Sequence, residues 1–232
     1  MGLYLILMGV QGAGKGMQAQ FLKDHYKIPH VSTGDLFRAM KTRQDELALR
    51  VQAIMKSGSL VDDATTNDVV ADRLAQPDAA QGVILDGYPR NQFQADFLAD
   101  YLAARGEKVT AVLLLHLDLY TAFKRAFGRV SDAQGNSYNI YFHNEGLQVS
   151  FEDSPDPRFP SRLVVQRGSE ELIRRPDDAN AAAIIKRIDT YLDTTRPLIE
   201  YYQARDLVHE VEADQSIEAV SRALQQIIDG LS

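Results

Sequence analysis

The sequence predicts an α/β protein built on a doubly wound, five-stranded parallel sheet with helices on both faces. Three observations carry that prediction. Five short strand candidates, most of them nearly continuous apolar runs, are spread along the chain, helical patterns fill the intervals, and the first run ends in a glycine-rich turn leading straight into a helix. Continuous apolar runs suit strands of a parallel sheet covered on both faces. Their alternation with helices implies right-handed crossovers between neighbouring parallel strands.

The first strand is expected over residues 3–8, followed by Gly9-Val10-Gln11-Gly12-Ala13-Gly14-Lys15-Gly16. This is the layout of a phosphate cradle. Glycines let the backbone wrap with its N–H groups pointing inward, with no Cβ in the way. Lys15 adds a mobile positive charge, and the following helix aims the positive end of its dipole at the same place. A plain strand–turn–helix connection is the weaker alternative. Gly16 stands where most such loops carry Ser or Thr to hold Mg2+ directly, so a metal here must be held by other groups or through water.

The remaining strands are expected near 30–32, 83–85, 111–117 and 207–211. Helical patterns cover 15–25, 35–42, 45–56, 64–74, 92–105, 120–128, 179–204 and 216–228. Pro197 is expected to kink or divide the seventh helix. Residues 131–174 break the rhythm: they are rich in Gly and Pro, show no helical period and carry Tyr138, Tyr141, Phe142, Phe151 and Phe159. The stretch is too long for a loop in a compact domain, which makes it an inserted domain or a lid. Its aromatic residues predict a folded miniature core.

Composition narrows the function classes. The chain has 232 residues, a net charge of −7, no cysteine and five scattered histidines without metal spacing. Disulfides and a cysteine-ligated zinc site are excluded, and no zinc is expected. The acidic balance argues against nucleic acid as a partner but leaves room for a nucleotide held by a local arginine cluster. No basic region precedes the first apolar run, and no run reaches the length of a membrane span. A cytoplasmic protein without a membrane partner is expected.

Several side chains are placed for phosphate chemistry. Asp86 ends an apolar strand, where open parallel sheets form their ligand crevice. It is expected beside Lys15, either orienting the water shell of a metal or simply neutralised by that lysine. Gly87 permits an unusual turn, Pro89 stiffens it, and Arg90 projects from that base toward an anion. Ser32-Thr33-Gly34-Asp35 reads as a helix start with its cap, and Arg38 lies one turn inside. Arg125 and Arg129 share a helix face, Arg174 and Arg175 close the odd segment, Asp177-Asp178 caps the next helix, and Arg187 lies on that helix.

Taken in order, Gly9 to Gly16 with Gln18, Ser32 to Arg38, Gly58-Ser59-Leu60-Val61, Asp86 to Arg90 with Gln94, and Arg175-Pro176-Asp177-Asp178 with Arg187 resemble the ordered motifs of the adenylate kinases. The likeness runs from Gly2 to about residue 128 and from about 174 to the end. The resemblance implies a P-loop core at 1–32, 63–128 and 175–232, a monophosphate-binding helical insert at 33–62 and a lid at 129–174. It implies reversible phosphoryl transfer from Mg-ATP to AMP, giving two ADP, by a monomer.

The same resemblance assigns Gly12, Ala13, Gly14, Lys15, Gly16 and Met17 to the ATP phosphates. Arg125, Ser137, Tyr138 and Ile217 fall where the family meets the rest of ATP. Thr33, Arg38, Ser59, Leu60, Val61, Gly87, Tyr88, Pro89, Arg90 and Gln94 fall on the AMP pocket. Lys15, Arg90, Arg129, Arg175 and Arg187 would clamp the transferring group, with Arg129 on the ATP side and Arg175 and Arg187 also on AMP; Lys186 is the alternative to Arg187. Asp86 would reach Mg2+ through water.

Base choice is legible too. The Gln94 carboxamide can donate to adenine N1 and accept from the 6-amino group. Relatives resembling the uridylate–cytidylate kinases carry Asn there and Ala in place of Thr33, so both positions favour AMP. The chain departs from the family pattern at Met17, which replaces a threonine, and at Gly128-Arg129-Val130, which lacks one of two adjacent arginines. Those departures leave two rivals: a UMP- or CMP-directed kinase, and a nucleotide-binding regulatory protein with little turnover.

Overall fold

The computed structural model describes residues 2–56, 61–142, 144–153, 161–174, 178 and 180–231. In chain order the elements begin with β1 (Leu3–Gly9), α1 (Lys15–Tyr26), β2 (His30–Ser32), α2 (Thr33–Met40), α3 (Glu46–Lys56) and α4 (Asp63–Leu74). After a 3-10 turn come β3 (Gly82–Asp86), α5 (Gln92–Ala103), β4 (Ala111–His116) and α6 (Leu119–Phe127). Five strands follow: β5 (Arg129–Ser131), β6 (Ser137–Asn139), β7 (Leu147–Asp153), β8 (Ser161–Arg167) and β9 (Glu170–Glu171). The chain closes with α7 (Ala181–Gln203), β10 (Val208–Glu212) and α8 (Ile217–Asp229). Two compact units result, one of Met1–Gly9, Gly14–His116 and Leu192–Ser232, the other of Val10–Ala13 and Leu117–Tyr191.

The first unit is built on a five-stranded parallel sheet in the order β10-β4-β1-β3-β2. In the central strand, Leu5 lies opposite Ile84 on one side and Ala111 on the other. Alternate strand residues face opposite sides of a sheet. Tyr4, Ile6 and Met8 join Val83, Leu85, Val112 and Leu114 in a cluster with Val70 and Leu74 of α4, Leu98 and Leu102 of α5, and Leu198 and Tyr202 of α7. The intervening Leu5, Leu7, Ile84 and Leu113 are equally buried. On that side α1 packs against β1 and β3, and α8 against α1 and β10. Each such leucine or isoleucine contributes about 1.5–3 kcal/mol by leaving water, which accounts for runs apolar on both faces. A smaller cluster of Met40, Ala48, Val51 and Val69 joins α2, α3 and α4.

Helix starts follow their side chains. Asp62 accepts from Thr65 N at the head of α4, and Asn91 accepts from Gln94 N at the head of α5. Ser216 accepts from Ala219 N at the head of α8. The Asp62 bonds, led by the Thr65 backbone N–H, hold its carboxyl below the usual range. Two expectations need correction. The second helix begins at Thr33, not 35, and Ser32 precedes it without a side-chain cap bond. Thr33 is drawn into the helix because its hydroxyl is used elsewhere, donating to Gly87 O. Pro197 does not divide α7. Leu198 and Tyr202 beyond it are buried in the main core, and their burial holds the last turns helical despite the lost N–H.

In the second unit, β5 and β6 pair antiparallel, and β7, β8 and β9 form a separate antiparallel sheet. Its core is Val130, Leu163, Val165 and Leu172, with Phe127, Tyr138, Ile140 and Leu147 against it. The expected aromatic core is therefore mostly aliphatic. Phe151, Tyr141 and Phe142 are exposed, and Phe159 lies outside the described residues. Among the described residues no helix is long and apolar enough to cross a membrane.

Gly82 marks the tightest approach in the sheet. Its φ is +130°, and a Cβ there would lie 2.1 Å from Leu3 O. Gly82→Ala is expected to cost about 3 kcal/mol or more, read as a lower urea midpoint. Gly106→Ala, with φ +71° but open space around it, should cost only about 1 kcal/mol.

Candidate functional site

The loop between β1 and α1 gets its shape from glycines. Gly9, Gly12 and Gly14 have φ of +147°, +92° and +89°, and Gly14 is the left-handed N-cap of α1. No side chain caps α1, and its first turn holds no acidic residue. Its leading N–H groups thus remain aimed along the helix axis, an arrangement that favours an anion. Lys15 Nζ donates to Gly9 O at 2.7 Å, folding the ammonium back across the loop's first carbonyl. Met17 is exposed, and a Cβ at Gly16 would meet nothing within 4 Å. Packing therefore does not dictate the missing hydroxyl at position 16. Buried Gln18 donates to Ile217 O and accepts from Ser221 Oγ at 2.8 Å, joining α1 to the start of α8.

At the end of β3, His30 Nε2 lies 3.5 Å from Asp86 Oδ2. The parallel register explains this, since β2 is the strand beside that end of β3, with Ser32 opposite Asp86. Beyond it, Gly87 has φ +76°, and the Tyr88–Pro89 peptide is cis. Arg90 Nε donates to Gly87 O at 2.9 Å, and its Nη2 lies 3.3 Å from Thr33 Oγ1. A Cβ on Gly87 would sit 3.0 Å from that same hydroxyl. Thr33, Gly87 and Arg90 are thus brought together.

Gln94 is buried beside them. Its Oε1 accepts from Arg90 N at 2.8 Å, and its Nε2 donates to Asp63 Oδ1 at 2.7 Å. Tyr88 donates its buried hydroxyl to Asn67 Oδ1; burial first, then the charge of Asp63, pushes that phenol's pKa up and keeps it a donor. Arg38 does not join this group; it is exposed and paired with Asp35. Val61 packs against the small α2–α4 cluster. Ser59 and Leu60 lie outside the described residues. A cavity of about 280 Å³ beside α2, lined by His30, Met40, Arg43 and Asp72 among others, includes none of Thr33, Arg38, Arg90 and Gln94.

In the second unit, fully buried Asp178 gathers the charges. Its Oδ2 accepts from Arg129 Nε at 2.9 Å and Nη2 at 2.5 Å, and its Oδ1 accepts from Gln11 Nε2 at 2.5 Å. Arg187 Nη1 approaches Oδ1 at 3.6 Å. Arg129 and Arg187 are therefore neighbours on one carboxylate, while Arg175 lies outside the described residues. Gly12 belongs to this unit with Ala13, whose N–H donates to Val10 O. A Cβ on Gly12 would lie 2.6 Å from Ala122 O, so only glycine fits. Arg125 has its guanidinium 5.8 Å from the Phe142 ring centre. Ser137 is exposed, and Tyr138 donates to Asp132 Oδ2 and accepts from Arg167. Arg174 donates to Phe127 O, and burial lowers its pKa.

Sequence reasoning missed Asp63, His30 and Gln11 as members of these groups. Only Asp63 left a trace, as an acidic residue at a helix start. Among the described residues, no three His, Asp or Glu side chains are grouped to hold a metal. Asp86 is a lone, half-buried carboxylate. That donor set suits Mg2+, which arrives with a nucleotide and keeps most of its water, better than it suits a metal needing a protein cage.

A family model described as "Adenylate kinase" matches residues 7–207. The chain is 37% identical over 225 residues to an adenylate kinase of Nitrosococcus oceani, covering 97% of each. It is 38% identical over 228 residues to one from Anaeromyxobacter sp., covering 97% of this chain and 99% of the relative. Against one from Fusobacterium nucleatum it is 33% identical, covering 97% and 98%.

Asp178→Ala should leave the Arg129 guanidinium without its buried counter-charge and cost about 3 kcal/mol by urea denaturation. Removing an exposed partner, as in Glu152→Ala opposite Arg162, should cost less than about 0.5 kcal/mol.

Proposed function

The chain belongs to the adenylate kinase family of phosphotransferases, and from that premise we propose that it moves the terminal phosphoryl group of Mg-ATP onto AMP, giving two ADP. The observation that carries this reading is the loop ahead of α1. Its glycines hold left-handed turns, no side chain caps the helix, and Lys15 sits at its edge. Such a loop offers main-chain donors and one mobile cation to a polyphosphate.

Phosphoryl transfer needs little covalent work from a protein. It needs two nucleotides held in line and the spreading negative charge neutralised. In this proposal Gly12, Ala13, Gly14, Gly16 and Met17, together with Lys15, hold the ATP phosphates. Arg90, supported on Gly87 O and Thr33, holds the AMP phosphate. Arg129, Arg175 and Arg187 meet the transferring group, and no general base is required. Asp86 would hold Mg2+ through water; when bound, that ion neutralises phosphate charge. The segments 33–62 and 129–174 would act as the monophosphate insert and the lid, closing to keep water from accepting the phosphoryl group. Arg125, Ser137, Tyr138 and Ile217 are assigned to the remainder of ATP, and Arg38, Ser59, Leu60 and Val61 to AMP. The enzyme is proposed to work as a cytoplasmic monomer.

AMP is favoured over UMP and CMP by Gln94, a purine-length carboxamide whose oxygen and nitrogen both have fixed partners, and by Thr33. A site built on such bonds rejects a mismatched base because its own polar groups are then left unpaired.

The test is ADP formation from ATP and each of AMP, UMP, CMP and GMP. AMP should be the preferred acceptor by a wide margin; binding without ADP formation, or a preferred pyrimidine, would overturn the proposal. Lys15→Met should lower kcat by about 10²–10³ with an unchanged far-ultraviolet circular dichroism spectrum.

A further inference from the structure

We infer that Asp63 is a specificity-determining residue: by fixing which end of the Gln94 carboxamide donates and which accepts, it makes the monophosphate pocket accept a 6-aminopurine and refuse a 6-oxopurine. The inference rests on the proposed reading in which Gln94 faces the acceptor base.

Each partner of Gln94 has a fixed hydrogen-bonding role. A backbone N–H can only donate, and an ionised carboxylate can only accept. Arg90 N–H lies 2.8 Å from one end of the carboxamide, and Asp63 Oδ1 lies 2.7 Å from the other. Chemistry alone therefore places the oxygen toward Arg90 and the nitrogen toward Asp63. Turning the amide by half a circle would set N–H against N–H at Arg90 and oxygen against oxygen at Asp63.

Asp63 is itself held. Its second oxygen accepts from Asn91 Nδ2 at 2.9 Å, and Asn91 Oδ1 accepts from Gln94 N at 3.0 Å. The ring of bonds Asp63–Gln94–Asn91 closes on itself across the starts of α4 and α5, and Gln94 within it is buried. A buried, mutually satisfied polar group of this kind has one low-energy arrangement.

Each end of the carboxamide keeps one unused bonding direction, a lone pair on Oε1 and an N–H on Nε2. Adenine offers an acceptor at N1 and a donor at its 6-amino group, matching that pair. Hypoxanthine offers N1–H and a 6-oxo oxygen, the reverse, and could be matched only by the flipped carboxamide. Asp63 acts through Gln94 as a positioning residue and supplies half of what forbids the flip; the Arg90 main chain supplies the other half.

The test compares kcat/KM for AMP and IMP, with saturating ATP, in the unaltered enzyme, Asp63→Asn and Asp63→Ala. The unaltered enzyme should strongly prefer AMP. Asp63→Asn can turn its own N–H toward Gln94 and so tolerate the flipped amide. The AMP-to-IMP ratio should fall by about tenfold or more, through a higher KM for AMP, with the KM for ATP unchanged. Asp63→Ala should shift the ratio in the same direction. A merely structural role at the head of α4 would lower both substrates together and leave the ratio constant, and that result overturns the inference while leaving the AMP-kinase reading intact. Equal use of IMP and AMP by the unaltered enzyme overturns both.

Discussion

Strand β1 is hydrogen-bonded along both edges, to β3 and to β4, and its side chains are buried on both faces. A strand so constrained has no freedom to slide, because a one-residue slip would exchange every inward residue for its neighbour. The consequence reaches its last residue. Gly9 is delivered to a fixed point at the sheet's carboxyl end, and the loop that follows must turn within a few residues into α1. Only glycines allow that turn, and Lys15 is carried with it. Asp86 arrives at the same end of the sheet, because β3 runs parallel and in register with β1.

Charge is managed differently in the two units. In the first, the side chain of Arg90 is set by uncharged oxygens, a carbonyl and a hydroxyl, so its positive charge is left undiminished. In the second, Arg129 and Arg187 share one buried carboxylate. A guanidinium paired to a buried carboxylate is oriented but partly neutralised, and a phosphate must compete with that carboxylate for it. One arrangement suits standing recognition of an anion; the other suits arginines whose engagement depends on a ligand strong enough to draw them away.

Much of this was readable in the sequence. Three of the five core strands, β1, β3 and β4, are nearly continuous apolar runs, and each of the five lies within a residue or two of its expected place. Thr33 and Gln94 stand out through the resemblance to the adenylate kinase motifs, and the donor and acceptor of the Gln94 carboxamide then point to an adenine base. Their partners were not legible. Asp63 and Gln94 are 31 residues apart and meet only because α4 and α5 pack together. His30 reaches Asp86 through the pairing of β2 with β3, which no local pattern encodes. The lid-like segment misled because aromatic residues signal burial in general, whereas Phe151, near the end of β7, stays largely exposed although it lies opposite buried Leu163.

The bond between Gln18 and Ser221 spans 203 positions of the chain. During synthesis on a ribosome, the helix that carries Lys15 emerges early, while the serine that completes its polar contacts is still untranslated. At about 5–20 residues per second the delay is roughly ten to forty seconds. Through that interval Gln18 has neither of its native partners, and β4 lacks its neighbour β10. The nascent amino-terminal half thus carries an open sheet edge and an uncovered helix face, a state that calls for shielding by the ribosome surface or a holding chaperone until the last helix is released.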